Sequence, residues 1–372
     1  MAFTVLSFNV ALGDSYIIKT GEGEFAKYSI VDCAEVSRSV PVVEYLRSHN
    51  IVNIESVFIT HYHADHCSGV PVLLEYIRSC NGTLNYLVTP YLPDRDEIRL
   101  NYFARLYPEQ QKSLMQSILG SICSSCSVLK NCEGDPTIRL TRSHQGNKAG
   151  CWDTFLHEGL DFSFVSPNST EIEEQIRSAM NRKSKFSGNL NNTSLVMMIR
   201  EAGSGSVFGL FAGDYAGKMW RTVANRVRAL SDNQFCTGVR FLKFPHHGSY
   251  TPQVEKFLVD SISPDTLFLA SLSCPCQSDD HPNLKTLQYL KDKFRNVDIA
   301  CTNLTSYCKQ LRIGTGELYF VDDDGYIFEF EDNDTVIHSI DDCCAGDHAV
   351  TIDEKSVGVQ RQRFNKCFFL TT

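Results

Sequence analysis

Three histidines and an aspartate fall within six residues of one another in Thr60-His61-Tyr62-His63-Ala64-Asp65-His66. They follow the apolar run Val57-Phe58-Ile59, which reads as a buried strand. Alternate residues of an extended chain share a face, so His61 and His63 point the same way. A turn into a helix then brings Asp65 and His66 round to the same point. Imidazole nitrogens and carboxylate oxygens suit zinc, manganese or iron. Four such groups packed as ordinary core would repel protons or clash, so the cluster reads as a metal site rather than a polar turn.

Further along the chain stand Ile30-Val31-Asp32, Phe211-Ala212-Gly213-Asp214 and His246-His247-Gly248-Ser249. With these, His61, His63, Asp65 and His66 reproduce a His-x-His-x-Asp-His motif, and the chain resembles the metallo-β-lactamase fold family. Asp32 resembles that family's early strand-ending aspartate, Asp214 its metal-bridging aspartate, and His246-His247 its late histidine motif. Gly13-Asp14, Asn192-Thr193-Ser194-Leu195-Val196, Leu242-Lys243-Phe244-Pro245-His246-His247-Gly248-Ser249 and His281-Pro282 narrow the likeness. They look like the hydrolase domain attached to competence-type DNA-uptake proteins and its free-standing soluble relatives. The resemblance spans residues 3–304.

The resemblance implies an α/β (α+β) fold, a four-layer αβ/βα sandwich with the metals at one edge between the sheets. It implies two divalent ions, Zn2+ or Mn2+. His61, His63 and Asp214 would hold one; Asp65, His66, Asp214 and one of the late pair would hold the other. On an extended segment His246 and His247 point opposite ways, so one of them is a ligand; His247 is favoured, with His246 facing substrate or core. Asp32 would orient a ligand histidine or the Asp65 loop. His281 would protonate a leaving group, Ser249 would bind a phosphate oxygen, and Asn192 and Ser194 would shape the pocket. The family's third histidine motif is not evident, and His144 and His157 are the candidates. Lys183 and Lys185, with Arg182, sit in one polar loop, and Arg139, Arg142 and Lys148 in another. Together they would attract an anionic substrate.

The elements that must position these groups follow from hydrophobic period. Strand patterns cover Phe3–Phe8, Ser15–Lys19, Tyr28–Val31, Ser56–Thr60, Tyr86–Thr89, Phe162–Val165, Ser194–Ile199, Val207–Ala212, Val239–Phe244 and Thr266–Ala270. Helical patterns cover Val40–Ser48, Val70–Ser79, Lys218–Leu230, Gln253–Leu258 and Leu284–Phe294. Residues 94–130 read as one or two helices of an insertion that extends to about 150, and residues 131–150 as a polar loop. Residues 1–304 form the hydrolase domain, and 305–372 an acidic, β-rich C-terminal extension packed on it, with the last 20 residues loosely attached.

Composition sets the outer bounds. A chain of 372 residues with 42% hydrophobic and 21% charged residues buries a core without disulfides and is neither fibrous nor disordered. No run approaches a membrane span, and the N-terminus lacks a signal-peptide pattern. Fifteen scattered cysteines then read as reduced thiols in a cytoplasmic protein. The net charge of −9 is uneven: residues 317–354 carry 13 acids and no Lys or Arg, while residues 1–316 balance. A neutral body with local basic loops suits a small phosphorylated substrate or a short strand better than extensive duplex binding.

The expected function is a metal-dependent hydrolase, a phosphodiesterase or nuclease, that cleaves a nucleic acid or nucleotide through a metal-bound hydroxide. The alternatives are an acyl hydrolase acting on a lactone, lactam or thioester, and a non-catalytic binding or regulatory module. Fold membership alone does not choose among them.

Overall fold

Along the strand Ser15–Thr20, Tyr16 and Ile18 join one buried cluster and Ile17 another. This period-two alternation, repeated on neighbouring strands, is what a sheet buried on both faces requires. The computed structural model describes residues 3–10, 13–89, 139–142, 154–157, 159–167, 190–202, 208–215, 220–272, 281–302, 318–321, 327–331, 334–338, 347–352 and 357–362, with Gln116 and Arg177.

In chain order the elements are β1 (Phe3–Ser7), β2 (Ser15–Thr20), β3 (Lys27–Cys33), α1 (Pro41–Ser48), β4 (Ile54–Phe58), α2 (Ala64–Cys67), α3 (Val70–Ser79) and β5 (Leu84–Thr89). Then come β6 (Arg139–Arg142), β7 (Thr154–His157), β8 (Leu160–Ser166), β9 (Val196–Glu201), β10 (Phe208–Phe211), α4 (Trp220–Leu230), α5 (Phe235–Gly238) and β11 (Val239–Lys243). The remainder are α6 (Pro252–Ser261), β12 (Phe268–Leu272), α7 (Leu284–Lys293), β13 (Val297–Cys301), β14 (Leu318–Val321), β15 (Ile327–Glu331), β16 (Asp334–His338), β17 (Asp347–Ile352) and β18 (Val357–Gln362).

Two mixed sheets result, ordered β18-β17-β1-β2-β3-β4-β5-β6 and β13-β12-β11-β10-β9-β8-β7, with a separate three-stranded sheet β14-β15-β16. Three apolar clusters arrange the layers. Ile17, Ile30, Val57 and Leu87 pack with Val42, Val43 and Leu46 of α1 and Leu73 and Ile77 of α3. Tyr16, Ile18, Val31 and Phe58 meet Phe162, Phe164, Met197, Phe211 and Phe241 between the sheets. Met198, Leu210, Leu242 and Ala270 pack with Trp220, Val223 and Val227 of α4 and Phe257 and Leu258 of α6. Helix, sheet, sheet, helix is the expected four-layer order. The helical faces follow the 3.6-residue period: Trp220, Val223, Ala224 and Val227 form one stripe of α4.

In the first sheet β3, β4 and β5 run parallel, and in the second so do β10, β11, β12 and β13. The C-terminal ends of open parallel strands are where such sheets place ligands. The chain's chemistry-bearing residues follow those ends.

Several expectations change. Residues 139–142, read as loop, form β6 at the sheet edge, parallel to β5. Arg139 and Arg142 made the segment look like a loop, yet charged residues are common on edge strands. Residues 297–301 form β13, and residues 154–157 form β7; neither short run had a distinctive period. The C-terminal residues are not simply loose: β18 pairs with β17, and β17 pairs with β1 inside the first sheet. Those pairings span the whole chain, and local propensity does not report them. Gln116 apart, the helices expected within 94–130 lie outside the described residues. Among the described residues no helix is long and apolar enough to cross a membrane, and Cys33, Cys67, Cys80 and Cys236 are free thiols.

Phe58 stacks on Phe162 across the two sheets at a centroid distance of 5.0 Å. Truncation to Phe58→Ala is expected to cost about 3–5 kcal/mol, because the closed interface collapses poorly around the void. Phe25→Ala, at a residue 82% exposed, should change stability by less than about 0.5 kcal/mol. Urea denaturation of both variants checks the contrast.

Candidate metal centre

Each strand end delivers part of the cluster. Asp32 stands one residue before the end of β3 and adopts a left-handed φ of 57°, a conformation aspartate tolerates better than most residues. β4 runs into Thr60-His61, and α2 then turns Asp65 and His66 back over the strand end. Asp14 lies in the β1–β2 connection, where its N–H donates to the Asp65 carbonyl at 3.0 Å. Gly13, at φ 124°, makes that approach possible, since a Cβ there would sit 1.9 Å from the Asp65 oxygen. β10 runs into Gly213-Asp214, and β11 ends in Lys243 and leads to His246 and His247.

Asp214 Oδ2 is the point on which the histidines converge. It lies 3.1 Å from His247 Nε2, 3.3 Å from His66 Nε2 and 3.9 Å from His61 Nε2. Asp65 Oδ2 closes the same side, 3.5 Å from His247 Nε2 and 3.8 Å from His66 Nε2. His63 Nδ1 stands 2.9 Å from His61 Nε2. The donor atoms of His61, His63 and Asp214 form one group within 4.8 Å, and those of Asp14, His66, Asp214 and His247 form another. Asp214 belongs to both.

Asp14 and Asp65 play different geometric parts. Asp14 faces the Nδ1 atoms, 3.5 Å from that of His66 and 3.8 Å from that of His247, and pairs with the Lys243 ammonium. It therefore stands behind the two rings, while Asp65 stands before them with Asp214.

The backs of the rings fix which nitrogen faces inward. Asp32 accepts from the Thr60 N–H (2.7 Å), the Thr60 hydroxyl (2.6 Å) and His66 Nδ1 (2.8 Å). With its proton given to Asp32, Thr60 Oγ1 accepts from His61 Nδ1 at 3.2 Å. One carboxylate thus sets the tautomer of both histidines and leaves each Nε2 toward Asp214.

These donors fit divalent cations. His66 Nε2 and His247 Nε2 are buried and make no well-aligned hydrogen bond, although carboxylate oxygens lie close to both. Buried polar atoms are normally satisfied, and a zinc or manganese ion would satisfy these.

The electrostatics agree with the crowding. Burial alone would raise Asp214, yet His247, His66 and Lys243 hold it well below the usual carboxylate range. Burial opposes the charged form of His66, but Asp214, Asp32, Asp65 and Asp14 together raise it well above an ordinary histidine. The same contest, led among the carboxylates by Asp214, raises His247 to about 9. Burial dominates at His61 and His63, which are lowered, and at His246, lowered to about 4. Burial raises Asp32, against the pull of His66.

The late pair is not extended. His246 and His247 both take left-handed backbone, with φ of 47° and 52°, inside a short 3-10 turn over Pro245–Gly248. The rings still diverge: His247 joins the cluster, whereas His246 accepts from the Asn191 amide at 3.3 Å and packs edge-on to His281 at 5.1 Å. The Asn283 N–H donates to the Gly248 carbonyl at 3.0 Å, which draws the His281 loop against the turn. A Cβ on Gly248 would strike Leu272 and Pro282, so the close approach here is to protein. The Ser249 amide caps the turn at the His246 carbonyl, 2.8 Å away.

Asn192 is exposed, and its neighbour Asn191 is the residue that meets the histidines. The 3-10 turn over Leu190–Thr193 reverses which of the two faces inward. Ser194 is buried beside Gly213, where a Cβ would come 3.2 Å from that of Ser194. His157 ends β7 opposite Leu160, the start of β8, whereas Ser166 at the other end of β8 pairs with Val196 beside the site. Its backbone is thus about 20 Å along the sheet from the cluster, too far for a ligand. His144, Lys183 and Lys185, with Arg182 and Lys148, lie outside the described residues.

Lys243, Thr60 and Asp14 stand in the sequence only as members of the motif segments, where nothing local assigns them a role. A lysine closing the strand pattern Val239-Arg240-Phe241-Leu242 was the available signal, because lysine is almost never buried without a partner.

The profile of the Metallo-beta-lactamase superfamily matches residues 13–110. No curated protein matches the chain. Among solved structures, the metallo-beta-lactamase fold protein YhfI from Bacillus subtilis is 10% identical, with a TM-score of 0.36, over 80% of this chain and 96% of that one. A diphosphatase from the PhnP family is 13% identical, with a TM-score of 0.40, over 81% and 95%. A long form RNase Z from yeast is 10% identical, with a TM-score of 0.36, over 73% and 37%.

Two raised histidines make metal loading a proton-releasing event. At pH 7 His66 and His247 are protonated in the metal-free protein, so binding is expected to release about two protons per chain. Calorimetry in buffers of different ionisation enthalpy reads this number. His247, raised from 6.5 to about 9, stabilises the metal-free fold fully below pH 6.5 and loses that contribution as pH rises through about 9. The melting temperature of the metal-free protein should therefore fall across that window, and that of the loaded protein should not.

Proposed function

In this metallo-β-lactamase-fold protein, two mixed sheets flanked by helices, we propose a metal-dependent hydrolase that cleaves a phosphodiester in a nucleotide or nucleic acid. The single observation that carries the reading is the sharing of Asp214 between two donor groups that are buried except for the half-buried His63. His61, His63 and Asp214 would hold one divalent ion; Asp65, His66, Asp214 and His247 would hold the other. Ions held there supply Lewis acidity and lower the pKa of bound water toward neutrality.

Charge favours phosphorus over carbon. With the histidines neutral, Asp14, Asp32, Asp65, Asp214 and Lys243 sum formally to −3, and two divalent ions would bring the centre to +1. Before a bound water gives up its proton that centre is positive, which suits an anionic phosphodiester better than a neutral lactone or thioester. The likeness of Leu242–Ser249 and Asn192–Val196 to the hydrolase domain of competence-type DNA-uptake proteins points the same way.

The chain's own residues divide the remaining work. Asp32 and Thr60 hold the His61 and His66 rings; Asp65 and His63, both half-buried, border the approach to the ions. His246, Asn191 and His281 form a polar wall on the His247 side. His281, half-buried, donates a proton to the leaving oxygen, and His246 with Asn191 orients the substrate.

Wild-type protein with added manganese or zinc is expected to hydrolyse bis(p-nitrophenyl) phosphate, and His63→Ala should lose at least about 100-fold in kcat/KM. Well-metallated wild type that turns over a lactone or thioester but no phosphodiester would overturn the substrate class. His281→Ala should lower kcat by about 100-fold or more on a dinucleotide, whose alkoxide leaving group needs a proton. On the p-nitrophenyl ester, whose leaving group departs unassisted, the same variant should change little. Equal losses on both substrates would remove His281 from the acid role.

A further inference from the structure

Lys243 ends a central strand and is 1% exposed, a costly place for an ammonium unless its donors are met. All three are. The ammonium pairs with the Asp14 carboxylate, donates to the Gly213 carbonyl at 2.8 Å, and reaches Asp214 Oδ1 at 3.4 Å. The register explains the reach: Lys243 lies opposite Phe211 on the parallel strand β10, so its side chain falls on the turn that carries Asp214.

The two oxygens of Asp214 therefore have separate partners. Oδ1 faces Lys243, and Oδ2 faces His61, His66 and His247. Asp14 performs the matching task on the other side of the ammonium, because its carboxylate faces the Nδ1 atoms of His66 and His247.

Resting on the metal-centre reading above, we propose that Lys243 is a positioning residue that, with Asp14, presents Asp214 Oδ2 as the shared donor and keeps His66 and His247 aimed at it. Removing the ammonium has two opposed consequences. Loss of a positive charge favours cation binding, whereas loss of the tether frees Asp214 and Asp14 to rotate. Positioning prevails here because all three N–H donors are committed to fixed oxygens, a geometry that charge alone does not supply.

The test is calorimetric titration of zinc into metal-free wild type, Lys243→Met and Lys243→Arg, with the visible spectrum of each cobalt-loaded protein. Wild type is expected to take two ions. Lys243→Met should bind the ion shared by His66 and His247 about 10–100-fold more weakly and show an altered cobalt spectrum. Lys243→Arg keeps the charge but not the tetrahedral donors, and should not recover the loss. A folded Lys243→Met that binds both ions as tightly as wild type, or more tightly, overturns the proposal, and so does full recovery in Lys243→Arg. Circular dichroism reports folding. If Lys243→Met does not fold, Asp14→Asn decides: the same weakened ion supports the proposal, and a wild-type isotherm overturns it. Wild type that takes no ion at all would instead sink the metal-centre reading, and this proposal with it.

Discussion

Asp14, Asp32 and Asp214 are buried and Asp65 half-buried around one spot, and like charges do not gather in a protein interior unless something neutralises them. Isolated buried carboxylates carry a desolvation cost of several kcal/mol each. The site answers with one permanent cation, Lys243, two histidines raised by the same carboxylates, and room for divalent ions where the nitrogens are left without hydrogen bonds. The arrangement has an inside and a back. Asp65 and Asp214 stand before the rings, and Asp32 and Asp14 stand behind them.

The surrounding fold is what makes that crowding affordable. Two parallel strand sets end at one edge, and several of those ends hand over their groups through turns that ordinary residues resist. Asp32, His246 and His247 occupy left-handed backbone, as do Gly13, Gly213 and Gly248. Such conformations cost of order 1–3 kcal/mol each at non-glycine residues and persist where the surroundings over-determine them. Here the three core layers supply that constraint: Phe58, Phe162, Phe164, Phe211 and Phe241 fix the distance between the sheets, and so between the His61–His66 turn and the Asp214 and His247 turns. Strain, buried charge and aromatic packing belong to one balance, in which the core holds open a centre that would not assemble alone.

The same geometry separates roles that look alike by residue type. His246 and His247 are neighbours with nearly the same backbone, yet burial drives one toward neutrality while carboxylates keep the other charged. Asp14 and Asp65 are both close to His66, yet they face different nitrogens of its ring. Asn191 and Asn192 differ by one position in a tight turn, and only Asn191 reaches the histidines.

The family that the motifs resemble implied the layered fold, and the sequence by itself determined the ligand-rich cluster and the order of strands and helices through most of residues 3–294. Those features are local: a motif of spaced histidines, a period of two, a period of 3.6. Tertiary structure alone decided what depends on distant pairing. It joined β17 and β18 to β1, made an edge strand of a charged segment read as loop, and put His157 at the wrong end of its sheet for a ligand. It also revealed Lys243 and Thr60 as members of the site, because a lysine or threonine earns that part only through the partners that folding brings to it. Residue type states what a group can do; which nitrogen faces inward, and which oxygen is held back, is set by contacts between strands far apart in the chain.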